Sequence, residues 1–567
     1  MSYDADVIII GAGGGGSVVA KELGELGINV LVLEAGPWYG NKKWLKPNSE
    51  SGGISSSSFK DLDKGLLDKQ FTDYEADMND LISGKLRWGP ADRRRSPWFR
   101  NRAQIGPPWQ SSGVGGTTQV YWANSPRALP RAVDNVWPIP YQELIPYYQK
   151  VEATLPVHPA PMTAKEELFF YGCEMAGYPL IKTPNLTIPG YRPQPAAILR
   201  PDPRINDPNF PFGEKPVGCT LRGHCVNGCH IGPSVEKVAK RSTLVSYIPL
   251  ALKTGIVKIM PNSFATRIIT ENHPKEGIRV AGVQFRNTWS GEFGELKAKA
   301  VVMAAGAIET PRLWLNSALP PNPWVGKGLT NHWFDVVSGI FDEQVLMNIL
   351  GIPEVLPFVG QTAAARFDYP GLGTIENFGM SPGLYASMLY ALSQDGYSFL
   401  NPPDPREPWD LYGKEVGERL KFLMSQYRKT LSSIIFVDDE VNFQNGITLD
   451  PVLKDEHGPI PLIRYSPSKK DKEKRDQLAR IAADFLRKAG AKEIIRADWP
   501  TGVFLHLHST MRLGYVTDTN CEAYQVKRLF IADNSVLYNS IGGPNPTLTT
   551  QALATRTVEK MVKRYFS

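Results

Sequence analysis

No apolar run in the 567-residue chain approaches the eighteen or so residues a membrane helix needs, and no basic stretch followed by an apolar one opens it. A spanning segment and a secretion signal are therefore not expected, and the cytoplasm is the expected compartment. Cysteine is scarce: five residues, an odd count, argue against a disulfide framework in a chain of this length. Charge of one sign is also lacking. Sixty-three basic residues against fifty-seven acidic ones leave +6, too little to make nucleic acid or an anionic membrane the main partner. A small molecule is the expected partner. With 42% hydrophobic and 21% charged residues, 51 Gly and 47 Pro, the composition excludes collagen-like, coiled-coil and mostly disordered chains. No repeat of solenoid length occurs. The length suits three or four structural units or one large two-lobed enzyme.

What is present begins at residue 6. Asp6 to Ile10 is a short β-branched run, apolar on both faces as a central parallel strand should be, and it feeds directly into Gly11-Ala-Gly13-Gly-Gly-Gly16. Val18 to Leu26 reads as a helix stopped by Gly27, and Asn29 to Leu33 as a second strand ending at Glu34. This order of strand, glycine turn, helix, strand and acid is the one a dinucleotide site requires. Gly11, Gly13 and Gly16 let backbone N–H groups approach a pyrophosphate, the helix N-terminus favours its charge, and Glu34 accepts from a ribose hydroxyl. A glycine-rich turn without ligand is the bland alternative, and the pattern alone does not separate FAD from NAD.

Between Asn48 and Arg102 the chain is polar and broken, with a run of arginines at 93–95, and reads as a long surface excursion. A second glycine cluster, Gly113 to Thr118, is suited to passing backbone close to a cofactor. A helix is expected from about Tyr141 to Leu155, strands at Val257 to Met260, Ile278 to Phe285, Ala300 to Ala305, Ser432 to Val437, Ile447 to Asp450 and Ile463 to Tyr465, a helical stretch beginning near Thr310, and an amphipathic helix around Leu478 to Leu486 closed by Gly490. Near the carboxyl end, His506 and His508 stand two apart in a strand-like context that turns both to one face. Leu529 to Asp533 is a strand ending in an acid, and Asn545-Pro546 precedes a terminal helix, where Asn545 falls near the cap. Cys219, Cys225 and Cys229 lie within eleven residues of one another.

Taken together, Gly11 to Gly16 with Glu34, Gly115 to Thr118 with Asn124, Trp137 to Tyr148, Ala304 to Pro311, Val325 to His332, His506 to Gly514, and Ala532-Asp533 through Asn545 to Thr549 resemble, in order, the glucose-methanol-choline family of FAD-dependent oxidoreductases. The resemblance implies an α/β chain (α+β overall): a Rossmann-like FAD-binding domain assembled from distant segments, and a substrate-binding domain with a large, mostly antiparallel sheet. The corresponding division is an FAD segment at 1–130, a substrate or cap segment at 131–215, a second FAD segment with the cysteine loop at 216–336, the substrate domain at 337–498 and a catalytic and FAD segment at 499–567. It also implies cofactor contacts from Gly116, Thr117, Asn124, Ala265, Asp533 and Asn545. Within the family the cysteine spacing looks like that of gluconate and glucose dehydrogenases and glucoside 3-dehydrogenases, whose cysteines hold an iron–sulfur cluster. Three thiolates suit a 3Fe-4S cluster, with zinc completed by His224 or His230, or unliganded cysteines, as alternatives.

The same resemblance assigns the catalytic pair to His506 and Asn545, with His508 as rival base. An alcohol releases hydride readily only as its hydroxyl proton leaves, so a base near neutrality is wanted, and unperturbed imidazole lies at about 6.5. Val120 stands where some relatives carry a histidine bound covalently to FAD, so a non-covalent flavin is expected. The expected reaction is oxidation of a CH–OH group of a sugar, glycoside or other alcohol, with electrons leaving to a cytochrome or a small partner subunit. An oxidase using dioxygen, an NAD-dependent enzyme and a non-catalytic FAD-fold binding protein are the alternatives, and a partner bearing a signal would make the periplasm the compartment.

Overall fold

The structure is a computed structural model that describes residues 3–44, 61–63, 65–66, 102–103, 108, 110–201, 218–223, 225, 239–288, 290–394, 406–410, 413–497 and 504–567. Its first sheet is centred on Ala5–Ile10, which runs parallel to Val30–Leu33 on one side and to the second half of Phe293–Met303 on the other. Val257–Met260 extends the sheet beyond Val30–Leu33, and Leu529–Ile531 extends it beyond Phe293–Met303. The central strands are buried and read as continuous Val, Ile and Leu because both faces are covered. The helix Gly16–Glu25 and the terminal helix Thr547–Tyr565 pack together against this layer. Ser263–His273, Gly277–Asn287 and the first half of Phe293–Met303 add an antiparallel meander to the same sheet.

A second sheet has six strands in the order Glu493–Ala497, Phe334–Ile340, Thr430–Val437, Gly373–Phe378, Ala365–Tyr369 and Gly190–Pro193, and every pairing is antiparallel. The helix Lys469–Lys488 lies across one face and buries Leu478, Ala479, Ala482, Phe485 and Leu486 there. Ser468 and Asp471 cap its start reciprocally, and Gly490, at φ +93°, takes the left-handed conformation beyond its end. The fold class is thus the expected one: a mainly parallel, helix-covered sheet drawn from both ends of the chain, joined to a large antiparallel sheet.

Two local expectations differ. The helix expected near Thr310 begins at Gly306 and holds Pro311 within it. Proline cannot donate to the carbonyl four residues back, and that carbonyl, of Ala307, instead accepts the hydroxyl of Thr510 at 2.7 Å. The strand expected at His506–His508 does not form. That segment makes one bridge, between His508 and Thr330, and Ser509 at φ +73° breaks the extended run.

The glycine turn shows why the two lobes of the parallel layer meet so closely. A Cβ at Gly15 would stand 1.7 Å from the Ala532 carbonyl oxygen, and one at Gly16 would stand 1.9 Å from that of Gly11, whereas one at Gly14 would meet only Thr118 Cγ2 at 3.5 Å. Gly15→Ala is therefore expected to lower stability by at least 3 kcal/mol and Gly14→Ala by less than about 1 kcal/mol, as read from the two melting temperatures.

Candidate functional site

The turn, the meander and the terminal helix border a cleft lined by Gly11, Gly13, Gly14, Gly15, Glu34, Gly116, Thr117, Ala265 and Asp533, all but two of which the sequence reading had singled out. Gly16 stands behind the lining, its role being the close approach to Gly11. The N-cap of Gly16–Glu25 receives no side-chain hydrogen bond and its first turn holds no acid, so the positive end of the helix is left facing the cleft. Glu34 accepts backbone N–H bonds from Ala12, Gly36 and Gly113, each at 2.9 Å. Burial nonetheless raises its pKa. Asp533 accepts from the Gly306 and Ser535 amides and the Thr310 hydroxyl. Gln110 Nε2, in the lining, is buried and has no hydrogen-bond partner. An uncapped helix end, a diol-accepting acid and an orphaned amide donor together fit a dinucleotide with phosphates and ribose.

Leu505, Leu507 and Thr547 line this cleft, so the segments that carry His506 and Asn545 border it, although neither side chain is itself among the lining residues. The structure brings the pair together: Asn545 Nδ2 lies 3.5 Å from His506 Nε2. Asn545 precedes the cap position, which is Pro546, and caps nothing. His506 keeps some exposure, while His508 is fully buried, with Nδ1 paired to the Thr330 hydroxyl and Nε2 without a partner. Accessibility favours His506 as the group that meets a substrate. The near-neutral base expected from the sequence is not found. Despite that exposure, the dense protein around His506 pushes its pKa well below 6.5 by desolvation, with His332 and then Arg366 adding to the effect.

Two contacts of this pair escaped the sequence reading. His332 places its Nδ1 3.1 Å from His506 Nδ1. Arg366, fully buried, directs NH1 to Asn545 Oδ1 at 3.5 Å, to Gln194 Oε1 at 2.9 Å and to Glu376 Oε1 at 3.2 Å, and binds Asp368 through the rest of its guanidinium. Arg366 and Glu376 are direct cross-strand partners, so the sheet register fixes their meeting. Asn124, expected at the cofactor, does not line the cleft; its amide donates to Glu376 at 2.8 Å instead, because the turn at Ala123 (φ +62°) carries it toward the antiparallel sheet. Burial raises Glu376 to about 7, against the lowering effect of Arg366.

Comparison with known proteins gives this geometry a family. A family model described as GMC oxidoreductase matches residues 213–334 through its N-terminal domain, and a second matches residues 443–554 through its C-terminal domain. The chain is a GMC oxidoreductase. It is 24% identical to 6'''-hydroxyparomomycin C oxidase of Streptomyces lividus, over 97% of this chain and 90% of that one. It is also 24% identical to the fructose dehydrogenase large subunit of Gluconobacter japonicus, over 99% and 98% of the two chains. A crystal structure of formate oxidase superposes with a TM-score of 0.60 at 13% identity, covering 100% of both chains, which shows a shared fold. Membership identifies the dinucleotide that the cleft fits as FAD and the protein as an enzyme of CH–OH donors; the oxidase and the dehydrogenase among its relatives leave the acceptor open.

The cysteine loop of this GMC chain is only partly described. Cys219 Sγ accepts the Leu221 amide at 3.4 Å and Cys225 Sγ that of Thr362 at 3.3 Å; Cys229, His224 and His230 lie outside the described residues. Among the described residues no group of three or more His, Cys, Asp or Glu is arranged to hold a metal, so neither the expected cluster nor zinc is supported by them. No described helix is long and apolar enough to cross a membrane.

Glu376 has a pH signature. Its folded pKa of about 7 lies above its ordinary value of 4.5, so the folded protein holds a proton that the unfolded chain has lost. Stability falls as pH rises through that window, by roughly 3 kcal/mol in all. Glu376→Gln is expected to abolish this slope, gaining on the wild type between pH 4.5 and 7 in denaturant titrations.

Proposed function

We propose that the protein oxidises the CH–OH group of a sugar, glycoside or related alcohol and passes the electrons to an acceptor other than dioxygen. The observation that carries the reading is the meeting of His506 Nε2 and Asn545 Nδ2 at 3.5 Å, on segments that also line the cleft through Leu505, Leu507 and Thr547. Bound FAD, held by the glycine turn, Glu34 and Asp533, would supply the two-electron acceptor for the carbinol hydride. Arg366 donates to Asn545 Oδ1, which orients the amide with its donor Nδ2 toward His506, where it is set to hold the substrate oxygen. His506 Nε2 takes the hydroxyl proton. A depressed pKa suits this step: the imidazole is already neutral at physiological pH, and a hydroxyl becomes strongly acidic as its carbon loses hydride, so a weak base is sufficient. The nearby Arg366 charge favours negative charge on the substrate oxygen. Val120 offers no nucleophile, which supports a non-covalent flavin.

The dehydrogenase preference rests on the cysteine spacing and on the likeness to the fructose dehydrogenase large subunit, whose name also supports a partner subunit. An iron–sulfur cluster on Cys219, Cys225 and Cys229 belongs to this proposal through that spacing alone, and iron analysis of the purified protein tests it.

A yellow protein bleached anaerobically by one member of a sugar and alcohol panel is expected, with turnover on an artificial dye exceeding that on oxygen. Faster turnover on oxygen would establish an oxidase instead. His506→Ala should keep the flavin and lose about 10³-fold in kcat. In the wild type, kcat/KM should show no acid limb near pH 6.5, because His506 titrates well below it.

A further inference from the structure

Three histidines converge at the site: the His332 ring lies 5.1 Å from that of His506 and 4.7 Å from that of His508. His332 is not among the residues that line the cleft, and the reaction described above leaves it without a role. Its own environment is unusually determined. The residue sits at φ +49°, a conformation that costs a non-glycine residue on the order of 1 kcal/mol. It is held there by Asp439, whose carboxylate accepts the backbone amides of Asn331 at 2.8 Å and His332 at 3.0 Å and the Tyr465 hydroxyl at 2.8 Å. The ring is thereby aimed so that Nε2 meets the Ser540 carbonyl oxygen at 2.6 Å and Nδ1 meets His506 Nδ1 at 3.1 Å.

Proton bookkeeping along this line has one solution. A carbonyl oxygen only accepts, so His332 Nε2 carries hydrogen. Burial holds His332 neutral, with a pKa of about 4, so its Nδ1 presents a lone pair. Two ring nitrogens 3.1 Å apart share one proton, which must then belong to His506 Nδ1. We infer that His332 is a positioning residue that locks His506 in the Nδ1–H tautomer, leaving the Nε2 lone pair, beside Asn545, as the proton acceptor for the substrate hydroxyl. This rests on the proposed oxidation of a CH–OH group and deepens it. In place of the carboxylate often found behind a catalytic histidine, a neutral imidazole anchored on a backbone carbonyl sets the tautomer without adding negative charge.

The test is ¹⁵N NMR of histidine-labelled apoprotein at pH 7.5, with the His506 signals identified from their loss in His506→Gln, together with kinetics of the FAD-loaded enzyme. The expected spectrum shows His506 Nδ1 as the protonated nitrogen and Nε2 as the unprotonated one. His332→Phe, which keeps a ring but removes the acceptor, should shift His506 toward the Nε2–H form and lower kcat by on the order of a hundredfold with KM within about threefold. His332→Asn, whose Oδ1 can stand in for Nδ1, should restore the tautomer and recover kcat to within about tenfold of wild type. A wild-type His506 protonated on Nε2 overturns the inference, as does a His332→Phe enzyme with unchanged tautomer and kcat. Should His332→Phe not fold, the wild-type spectrum and His332→Asn decide alone. If the tautomer is as stated but no alcohol is oxidised, the functional reading fails and the assignment of the proton stands.

Discussion

Arg366 can only donate, and that restriction orders the site. Its guanidinium is fully buried between Asp368 and Glu376, an arrangement that survives only because the carboxylates and Gln194 meet nearly all of its hydrogens. The remaining approach, to Asn545, turns that amide so its nitrogen faces His506. One positive charge in the antiparallel sheet therefore decides which atom of a residue at the end of the chain can meet a substrate, and contributes to keeping the neighbouring imidazole uncharged.

The dinucleotide half was legible from the amino acids because its constraints are local. Gly11 through Gly16, the strand before them and Glu34 after them lie within thirty residues of each other, and at Gly11, Gly15 and Gly16 the backbone approach leaves no room for a larger side chain. The antiparallel sheet was legible in part, from the alternation at Thr430–Val437 and its neighbours. What escaped depends on register between distant strands. Arg366 and Glu376 look like ordinary solvent-side residues of short strands until the pairing of Ala365–Tyr369 with Gly373–Phe378 places them opposite one another beneath residue 545. The inward charges at alternate positions, Arg366 and Asp368, were the available signal.

The pKa of His506 illustrates a different limit. Residue type suggests a base near neutrality; the shift comes from desolvation first, then from His332 and Arg366, properties of the packed interior that spacing does not encode. Asn124 shows the same limit for geometry, since a single left-handed residue before it redirects its amide from the cleft to Glu376.

The proline within Gly306–Asn316 leaves a gap in that helix's ladder, and Thr510 fills it from the loop that carries His506. A defect in one lobe is thus a socket for the other. Because the plugging hydroxyl belongs to the catalytic loop, the loop's height above the cofactor floor is referenced to a helix that begins at the floor itself. The two lobes share a datum, and a change at Pro311 that healed the ladder would be felt as a misplaced imidazole four residues away from the plug.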